Sequence, residues 1–270
     1  MWTPTSGLVG LTSYDPLRGS IWILSPGRHL REVLRLHTTL DSLQTMGPNA
    51  AIAEIGEGHH RYLRTTDGGL HWSAFRLRYL ASFATAKLGF GYATYAVGNQ
   101  ERMALYGTRD GGRRWHRQET PCQGVAAIPD QVTARMTWLM CLGEPGAGNE
   151  EKALFRTTDG GAHWRPLAHV QMTRPAHGGI QSYGYPVGAA FSAAGFGILW
   201  ESRGTLYVTR DGGAHWTPKP NVAHPEEDFG FGGAVFPGGR AFLLLAGGRP
   251  ARLLETMNYG RTWHPIIRWR

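Results

Sequence analysis

Short apolar runs recur along the chain, and each is followed by a polar segment rich in glycine. A second short stretch of extended character follows each polar segment, often as Trp-x-Pro, as in Trp164-Arg165-Pro166. Apolar runs bounded by polar, glycine-containing turns are typical of β-hairpins. The pattern therefore predicts repeated units of strand, tight turn and strand. The first strands of these units carry Tyr62-Leu63, Leu105-Tyr106, Leu154-Phe155, Leu206-Tyr207 and Leu253-Leu254.

Five copies of one eight-residue motif occupy these turns. The first four read Thr-x-Asp-Gly-Gly-x-x-Trp, and the fifth reads Thr-Met-Asn-Tyr-Gly-Arg-Thr-Trp. Their tryptophans are 43, 49, 52 and 47 residues apart, a period typical of the blades of a β-propeller. The copies run over residues 65–72, 108–115, 157–164, 209–216 and 256–263.

The residue types of the motif suit a tight turn. Its carboxylate accepts hydrogen bonds from backbone N–H groups, its glycines adopt positive φ, and its tryptophan buries a large area between neighbouring blades. In the fifth copy Tyr259 replaces the first glycine, which predicts an altered turn. Five similar turns need one structural explanation rather than five active sites. We therefore assign structural roles to Asp67, Trp72, Asp110, Trp115, Asp159, Trp164, Asp211, Trp216, Asn258 and Trp263.

The motif resembles the Asp-box, or BNR repeat, of sialidase-like and related propellers. The Asp-Gly-Gly version, preceded by Gly89-Phe-Gly-Tyr92 and Gly195-Phe-Gly-Ile198, is most similar to the photosystem II stability/assembly-factor group. Sialidases are a more distant resemblance. The resemblance implies that each box joins the third and fourth strands of a blade, away from the usual ligand face.

At about one blade per 45 residues, the 270-residue chain predicts an all-β propeller of about six four-stranded blades, with seven as the alternative. No linker interrupts the period, so residues 1–270 are expected to form a single domain, and helix should be scarce. In one unit, for example, the strands are expected at residues 187–191, 196–201, 205–209 and 215–218.

The first unit is short, irregular and without a box. It offers strands at residues 8–13 and 21–24, then residues 29–36, which fit a helix or a strand. Trp2-Thr3-Pro4 repeats the Trp-x-Pro that follows the later boxes. Two explanations stay open: the chain starts with an additional outer strand, or it begins partway through a longer parent.

The net charge is +8 and the pI is near 9.8. Such a balance favours acidic partners, although solubility alone also explains it. The basic residues are densest at 28–31, 113–117 and 261–270. No nucleic-acid-binding module is recognisable, so the expected partner is a protein or an anionic glycan, bound by a monomer without specific nucleic-acid binding.

Cys122 and Cys141 flank the first hairpin of the fourth unit, with strands expected at 125–128 and 135–140 and Pro129-Asp130 near its turn. Opposite positions on two antiparallel strands would permit a disulfide in an oxidising compartment. Two separate buried thiols are the alternative.

Residues 1–12 lack the features of a signal peptide, and no apolar stretch is long enough to span a membrane. The resemblance implies work outside the cytoplasm, at the cell surface or in the periplasm. The cytoplasm is the alternative that the missing leader favours.

Two connections between units are long, at residues 169–186 and 219–233, and loops of that length tend to be functional or disordered. They flank one blade, so they should border one part of the ligand face. Their aromatic and charged side chains suit a peptide or a carbohydrate, with solvated loops as the alternative. The candidate ligand-binding residues are Arg174, His177, Tyr183, Tyr185, His224, Glu226, Glu227 and Asp228.

A glycoside hydrolase needs two carboxylates, or a tyrosine and a glutamate, directed at one bond. The arginine-containing motif and the arginine trio of sialidases have no counterpart here. Metalloprotease and phosphate-loop motifs are also missing, and no cofactor, metal or catalytic residue is assigned. The sequence therefore favours a non-enzymatic binding or assembly propeller that recognises a protein or glycan through its loop-rich face, with a glycoside hydrolase as the alternative.

Overall fold

The computed structural model describes residues 7–14, 17–25, 29–46, 49–56, 61–171, 174–220, 222–223, 228–246 and 251–268. Their strands form six antiparallel sheets. Within those ranges the helical content is one 3-10 turn, Pro237–Gly239. The predicted all-β, six-bladed propeller is confirmed.

The first three blades contain three, four and four strands. Their strands are β1 (Gly7–Tyr14), β2 (Leu17–Leu24), β3 (Leu30–Arg35), β4 (Leu40–Thr45), β5 (Ala51–Ile55), β6 (Arg61–Thr65), β7 (Ser73–Phe75), β8 (Leu80–Phe83), β9 (Gly89–Val97), β10 (Gln100–Thr108) and β11 (His116–Gln118).

The fourth blade has five strands, and the last two blades have four each. Their strands are β12 (Ala126–Gln131), β13 (Thr137–Leu142), β14 (Lys152–Thr157), β15 (Arg165–Gln171), β16 (Arg174–His177), β17 (Pro186–Phe191), β18 (Gly197–Glu201), β19 (Thr205–Thr209), β20 (Thr217–Pro218), β21 (Asp228–Phe236), β22 (Arg240–Ala246), β23 (Arg252–Thr256) and β24 (His264–Arg268).

Consecutive strands pair within each blade, so the polypeptide completes one blade before it starts the next. In blades two to six the box joins the third strand to the fourth, as β6 ends at Thr65 and β7 begins at Ser73. The first blade has three described strands and no box. Residues 30–35 form its strand β3, which settles the choice between helix and strand.

Strand β1 contacts both β4 and β21, so the first blade lies between the second blade and the last. Val9 and Leu24 pack there against Phe242 and Leu253. This apolar cluster closes the ring.

The core lies between neighbouring blades, where each box tryptophan packs against the blade before it. The contact between the fourth and fifth blades shows the arrangement best. Trp138 stacks on Phe191 with ring centroids 4.5 Å apart, and Phe191 meets Trp216 edge-on at 5.8 Å. The Trp138 indole N–H donates to the backbone of the next box, at Gly212 O, 2.8 Å away. Apolar burial and this buried hydrogen bond together fix one blade against the next.

A disulfide joins Cys122 and Cys141, whose Cα atoms are 5.3 Å apart. The two cysteines do not oppose each other across the hairpin, since Ala127 is the partner of Cys141 in the sheet and Cys122 lies before β12. Pro129 and Asp130 belong to β12 rather than to the turn, which falls at residues 132–136. The bridge therefore ties the segment entering the blade to its second strand.

The innermost strands of blades two to six line a central channel of about 610 Å³. Asp130 contributes a carboxylate to it, and that carboxylate accepts a hydrogen bond from the Phe191 N–H at 2.7 Å. Burial raises the pKa of Asp130 to about 7, although the Phe191 N–H opposes the rise.

An Asp130→Asn variant should lose part of the pH dependence of folding stability. The raised pKa means that, from pH about 4 to about 7, the folded state holds a proton that the unfolded state releases. The stabilisation is complete below that range and is lost as pH rises through the folded pKa. Denaturant unfolding of both proteins from pH 4 to 8 measures the difference. The two curves would run parallel if Asp130 were ionised throughout.

Candidate functional site

The Asp-boxes are closed by local hydrogen bonds. In the first four, the Gly N–H four residues after the Thr donates to the Thr Oγ1 at 2.9 Å, and the Thr hydroxyl donates to the box carboxylate. The indole N–H groups of Trp72, Trp115 and Trp216 donate to the second box glycine. The Thr and Asp side chains of these four boxes therefore form hydrogen bonds within their own box.

The box histidines also form hydrogen bonds within their own boxes. The Nδ1 atoms of His71, His163 and His215 lie 2.6–2.7 Å from the carboxylate of their own box. Hydrogen bonds from the backbone N–H and then the ring of His71 hold the pKa of Asp67 well below its usual range. The three histidines stand on different blades. In the fifth box Tyr259 takes the left-handed conformation, with φ at 59°.

Three loops meet on the opposite face, above the contact between the fourth and fifth blades. They are the loop between β13 and β14, residues 181–185 of the connection between blades, and the loop between β18 and β19. Asn149 bridges to Tyr183, Gly148 N–H donates to the Tyr185 hydroxyl at 2.8 Å, and Ser202 N–H donates to the Tyr185 carbonyl at 2.8 Å. We call these residues, together with Arg203 of the loop between β18 and β19, the loop-face cluster.

The exposed part of the cluster pairs a tyrosine with an arginine. Tyr183 is 47% exposed, and its hydroxyl accepts a hydrogen bond from Arg203 Nη1 at 3.2 Å. The Arg203 guanidinium also lies over the Tyr183 ring, 5.2 Å from its centroid. Arg203 and Ala147 have φ values of 64° and 50°, so two of the three left-handed non-glycine residues in the described chain belong to these loops. Strained backbone of this kind is frequent at binding sites.

A buried ion pair supports the cluster from below. Lys152 Nζ lies 2.6 Å from Glu201 Oε1, and both side chains are fully buried. The same ammonium donates to the carbonyls of Gln181 at 2.8 Å and Tyr183 at 3.2 Å, with a longer contact to Ser182. Lys152 thus fixes the backbone that carries Tyr183.

Burial opposes charge at this pair. It lowers the pKa of Lys152 and raises the pKa of Glu201 to about 7, while the attraction between the two groups works against both shifts. Glu150, also buried, has its pKa raised to about 7 by burial, and the charge of Lys152 again opposes the rise. The two carboxylates beside Lys152, those of Glu150 and Glu201, therefore lie beneath the surface, whereas Glu144 in the loop between β13 and β14 is exposed.

The predicted ligand-binding residues are distributed unevenly over the structure. Tyr183 and Tyr185 lie together in the loop-face cluster. His177 lies in β16, with its ring 6.1 Å from that of His169 and 6.3 Å from that of the box histidine His215, so it faces the box side of the rim. Backbone positions are described for Arg174 in β16 and Asp228 in β21. His224, Glu226 and Glu227 lie outside the described residues.

The first long connection is not the free loop expected from the sequence. Residues 174–177 form strand β16, which pairs with β15, and Ile180 is buried in the core between the fourth and fifth blades. Sequence reasoning also missed Lys152, Glu201 and Arg203. The local signal for Arg203 is its place before Gly204 in a turn between two strands.

No three His, Cys, Asp or Glu side chains within the described ranges stand where they could hold one metal ion. The same ranges contain no helix long and apolar enough to cross a membrane.

Comparison with known proteins places the fold. Over 72 residues the chain is 38% identical to the chloroplastic photosystem II stability/assembly factor HCF136 of Arabidopsis thaliana, a segment covering 26% of this chain and 17% of that protein. The solved structure of YCF48 bound to D1 peptide is 16% identical, with 98% of this chain and 85% of that one covered and a TM-score of 0.40. The structure of TolB from Acinetobacter baumannii is 14% identical, with 96% of this chain and 62% of that one covered and a TM-score of 0.61. No protein-family model matches the chain.

The six blades and their boxes define a BNR-type β-propeller. Within that class, the 72 matched residues make the chain a distant relative of the photosystem II stability/assembly factor HCF136. The similarity to TolB concerns the fold alone.

Proposed function

We propose that this chain is a non-enzymatic binding or assembly propeller, which recognises a segment of a partner protein through the loop-face cluster. The observation that carries the proposal is the exposed Tyr183–Arg203 pair on a base held by the buried Lys152. Tyrosine and arginine provide a large contact area with polar ends, and a preorganised base reduces the entropy lost on binding.

The distant relationship supports a partner of this kind. HCF136 is a stability and assembly factor, and YCF48 has been solved bound to D1 peptide. Neither protein indicates which segment this chain would bind.

The buried carboxylates favour binding over glycoside hydrolysis. A glycosidase needs two carboxyl groups that reach one glycosidic bond. Glu150 is 8% exposed and Glu201 is fully buried against Lys152, so neither side chain is open to a sugar ring. Trp200, an aromatic that a sugar could use, is also buried. Glu226 and Glu227 stay the candidates for the alternative function.

We place the protein outside the cytoplasm in this proposal. The disulfide between Cys122 and Cys141 supports that location, because disulfides persist mainly in oxidising compartments.

The experiment compares three forms of the whole chain as bait in extracts of its source cells. A Tyr183→Ala/Arg203→Ala variant should lose a protein that the parent retains, because it removes the exposed pair. A Tyr95→Ala/Arg117→Ala variant, which removes an exposed tyrosine and an exposed arginine of the third blade, should keep that protein. Turnover of chromogenic glycosides that is abolished by Glu226→Gln or Glu227→Gln would overturn the proposal.

A further inference from the structure

A basic groove lies between the second and third blades. Its volume is about 1090 Å³, and its walls come from the outer strands of the second blade and the box of the third. Fourteen of the described residues line it, and none of these is an aspartate or glutamate. Five of them are exposed arginines: Arg61, Arg76, Arg78, Arg113 and Arg114.

The floor of this groove is apolar and aromatic. Phe75, Leu77 and Trp115 pack together there, and Tyr62 lies beside them. Trp115 is half-buried, whereas the equivalent Trp216 of the fifth blade is 5% exposed. An apolar floor beneath several exposed arginines fits a chain segment that carries both aliphatic and acidic side chains.

The equivalent space between another pair of blades shows which kind of segment fits this groove. By strand register, Phe75 opposite Tyr62 in the second blade corresponds to Ala168 opposite Leu154 in the fourth, where β15 carries a bulge. With the boxes aligned, Arg113 and Trp115 correspond to Ala214 and Trp216, and Arg114 corresponds to His215. The groove between the second and third blades is therefore equivalent to the space between the fourth and fifth.

In that equivalent space, the protein's own chain fills the position. Strand β16 adds to the outer edge of β15, and the segment that follows it passes between Ala168 and the next box. The Trp216 N–H donates to Gly178 O at 2.7 Å. Ile180 is 2% exposed in the core there.

Between the second and third blades no described segment adds a strand in this way, although Tyr79 of the connection packs edge-on against Trp115. Strand β7 is the last strand of its sheet, so its outer edge is unpaired in the described chain. The backbone N–H of Trp115 has no acceptor among the described residues, although the same N–H of Trp216 is bonded. Within the described chain the groove thus has an open strand edge, an unused donor and five arginines, of which Arg114 has the Asp110 carboxylate of its own box nearby.

We propose that this groove binds an extended acidic segment of a partner protein, which adds along β7 as β16 adds along β15. A carbonyl of that segment accepts from the Trp115 N–H, an aliphatic side chain takes the place that Ile180 fills, and carboxylates pair with Arg76, Arg113 and Arg114. Addition of a strand to a sheet edge is an established mode of peptide recognition. The groove lies on the outer rim and is separate from the loop-face cluster, so this inference goes beyond the function proposed above.

The test uses a fluorescein-labelled heptapeptide with Gly-Gly-Ile at its centre and two acidic residues on each side. Fluorescence anisotropy at low ionic strength measures its affinity for the whole chain. Arg113→Ala/Arg114→Ala should weaken binding by about tenfold or more, because both cations contact the segment. Arg165→Ala/Arg268→Ala removes the same charge from exposed positions outside the groove and should change affinity by less than about twofold.

Hydrogen exchange separates strand addition from simple attraction of charge. The Trp115 backbone amide should gain protection when the peptide is bound. Tyr183→Ala/Arg203→Ala should leave peptide binding unchanged, whatever it does to the loop face. The inference is overturned by equal weakening in both arginine variants, by an unprotected Trp115 amide, by equal binding of a lysine-substituted peptide, or by no binding at about millimolar peptide.

Discussion

Replacing Trp216 with alanine should lower the free energy of unfolding by about 3–5 kcal/mol, the range for large aromatic side chains removed from a core. Trp216 is 5% exposed, meets Phe191 edge-on and lies in the cluster between the fourth and fifth blades. Its indole N–H and backbone N–H both have carbonyl acceptors, at Gly213 and Gly178. Denaturant unfolding with a two-state fit measures the loss.

Trp164→Ala is the matched control. Trp164 occupies the same box position, but it is half-buried and its indole N–H has no partner among the described residues. Trp164→Ala should therefore lower the free energy of unfolding by less than Trp216→Ala does. Equal losses would show that the segment from Gly178 to Ile180 adds nothing to the burial of Trp216.

Lys152→Met should also cost about 3–5 kcal/mol, because it leaves Glu201 buried without its cation. The cost should grow as pH rises above about 7, since the pKa of Glu201, already raised to about 7 by burial, would rise further without Lys152. Below that pKa the carboxyl is protonated and the penalty is smaller. Thermal or denaturant unfolding at pH 6 and pH 8 measures both effects.

A double variant tests the cause. Lys152→Met/Glu201→Leu removes both charges, and buried pairs replaced by apolar side chains are often neutral for stability. The double variant should regain most of the free energy of unfolding that Lys152→Met loses, and the remaining loss should not depend on pH. If the double variant were as unstable as Lys152→Met at both pH values, the three carbonyls that accept from Lys152 would account for the cost, rather than the charge of Glu201.

The sequence predicted the blades because their signals are local. A box places Thr, Asp, Gly and Trp within eight residues, and the hydrogen bonds of its Thr and Asp side chains close within the same eight. The strands around it follow directly: those expected at 187–191 and 205–209 are Pro186–Phe191 and Thr205–Thr209. Turn chemistry and apolar alternation therefore suffice for most of the fold.

The sequence did not predict the fifth strand of the fourth blade. Arg174-Pro-Ala-His177 is followed by two glycines, a composition typical of a loop. Its strand conformation comes from pairing with β15 and from the position of the next box, which are tertiary contacts. The loop-face cluster was predicted only in part, again because some of its contacts are tertiary. Tyr183 and Tyr185 are conspicuous in a long connection, whereas Lys152 and Glu201 meet only because two blades pack together.

The closure of the ring has a mechanical consequence. Every other contact between neighbouring blades is spanned by a peptide connection, but the contact between the last blade and the first is held in the described chain by apolar side chains such as Val9, Leu24 and Phe242. Among the residues that the structure describes, opening there breaks no strand pairing and stretches no linker. The ring can therefore separate at this seam with all six sheets intact, so that a change in ring diameter need not begin with the unfolding of a blade.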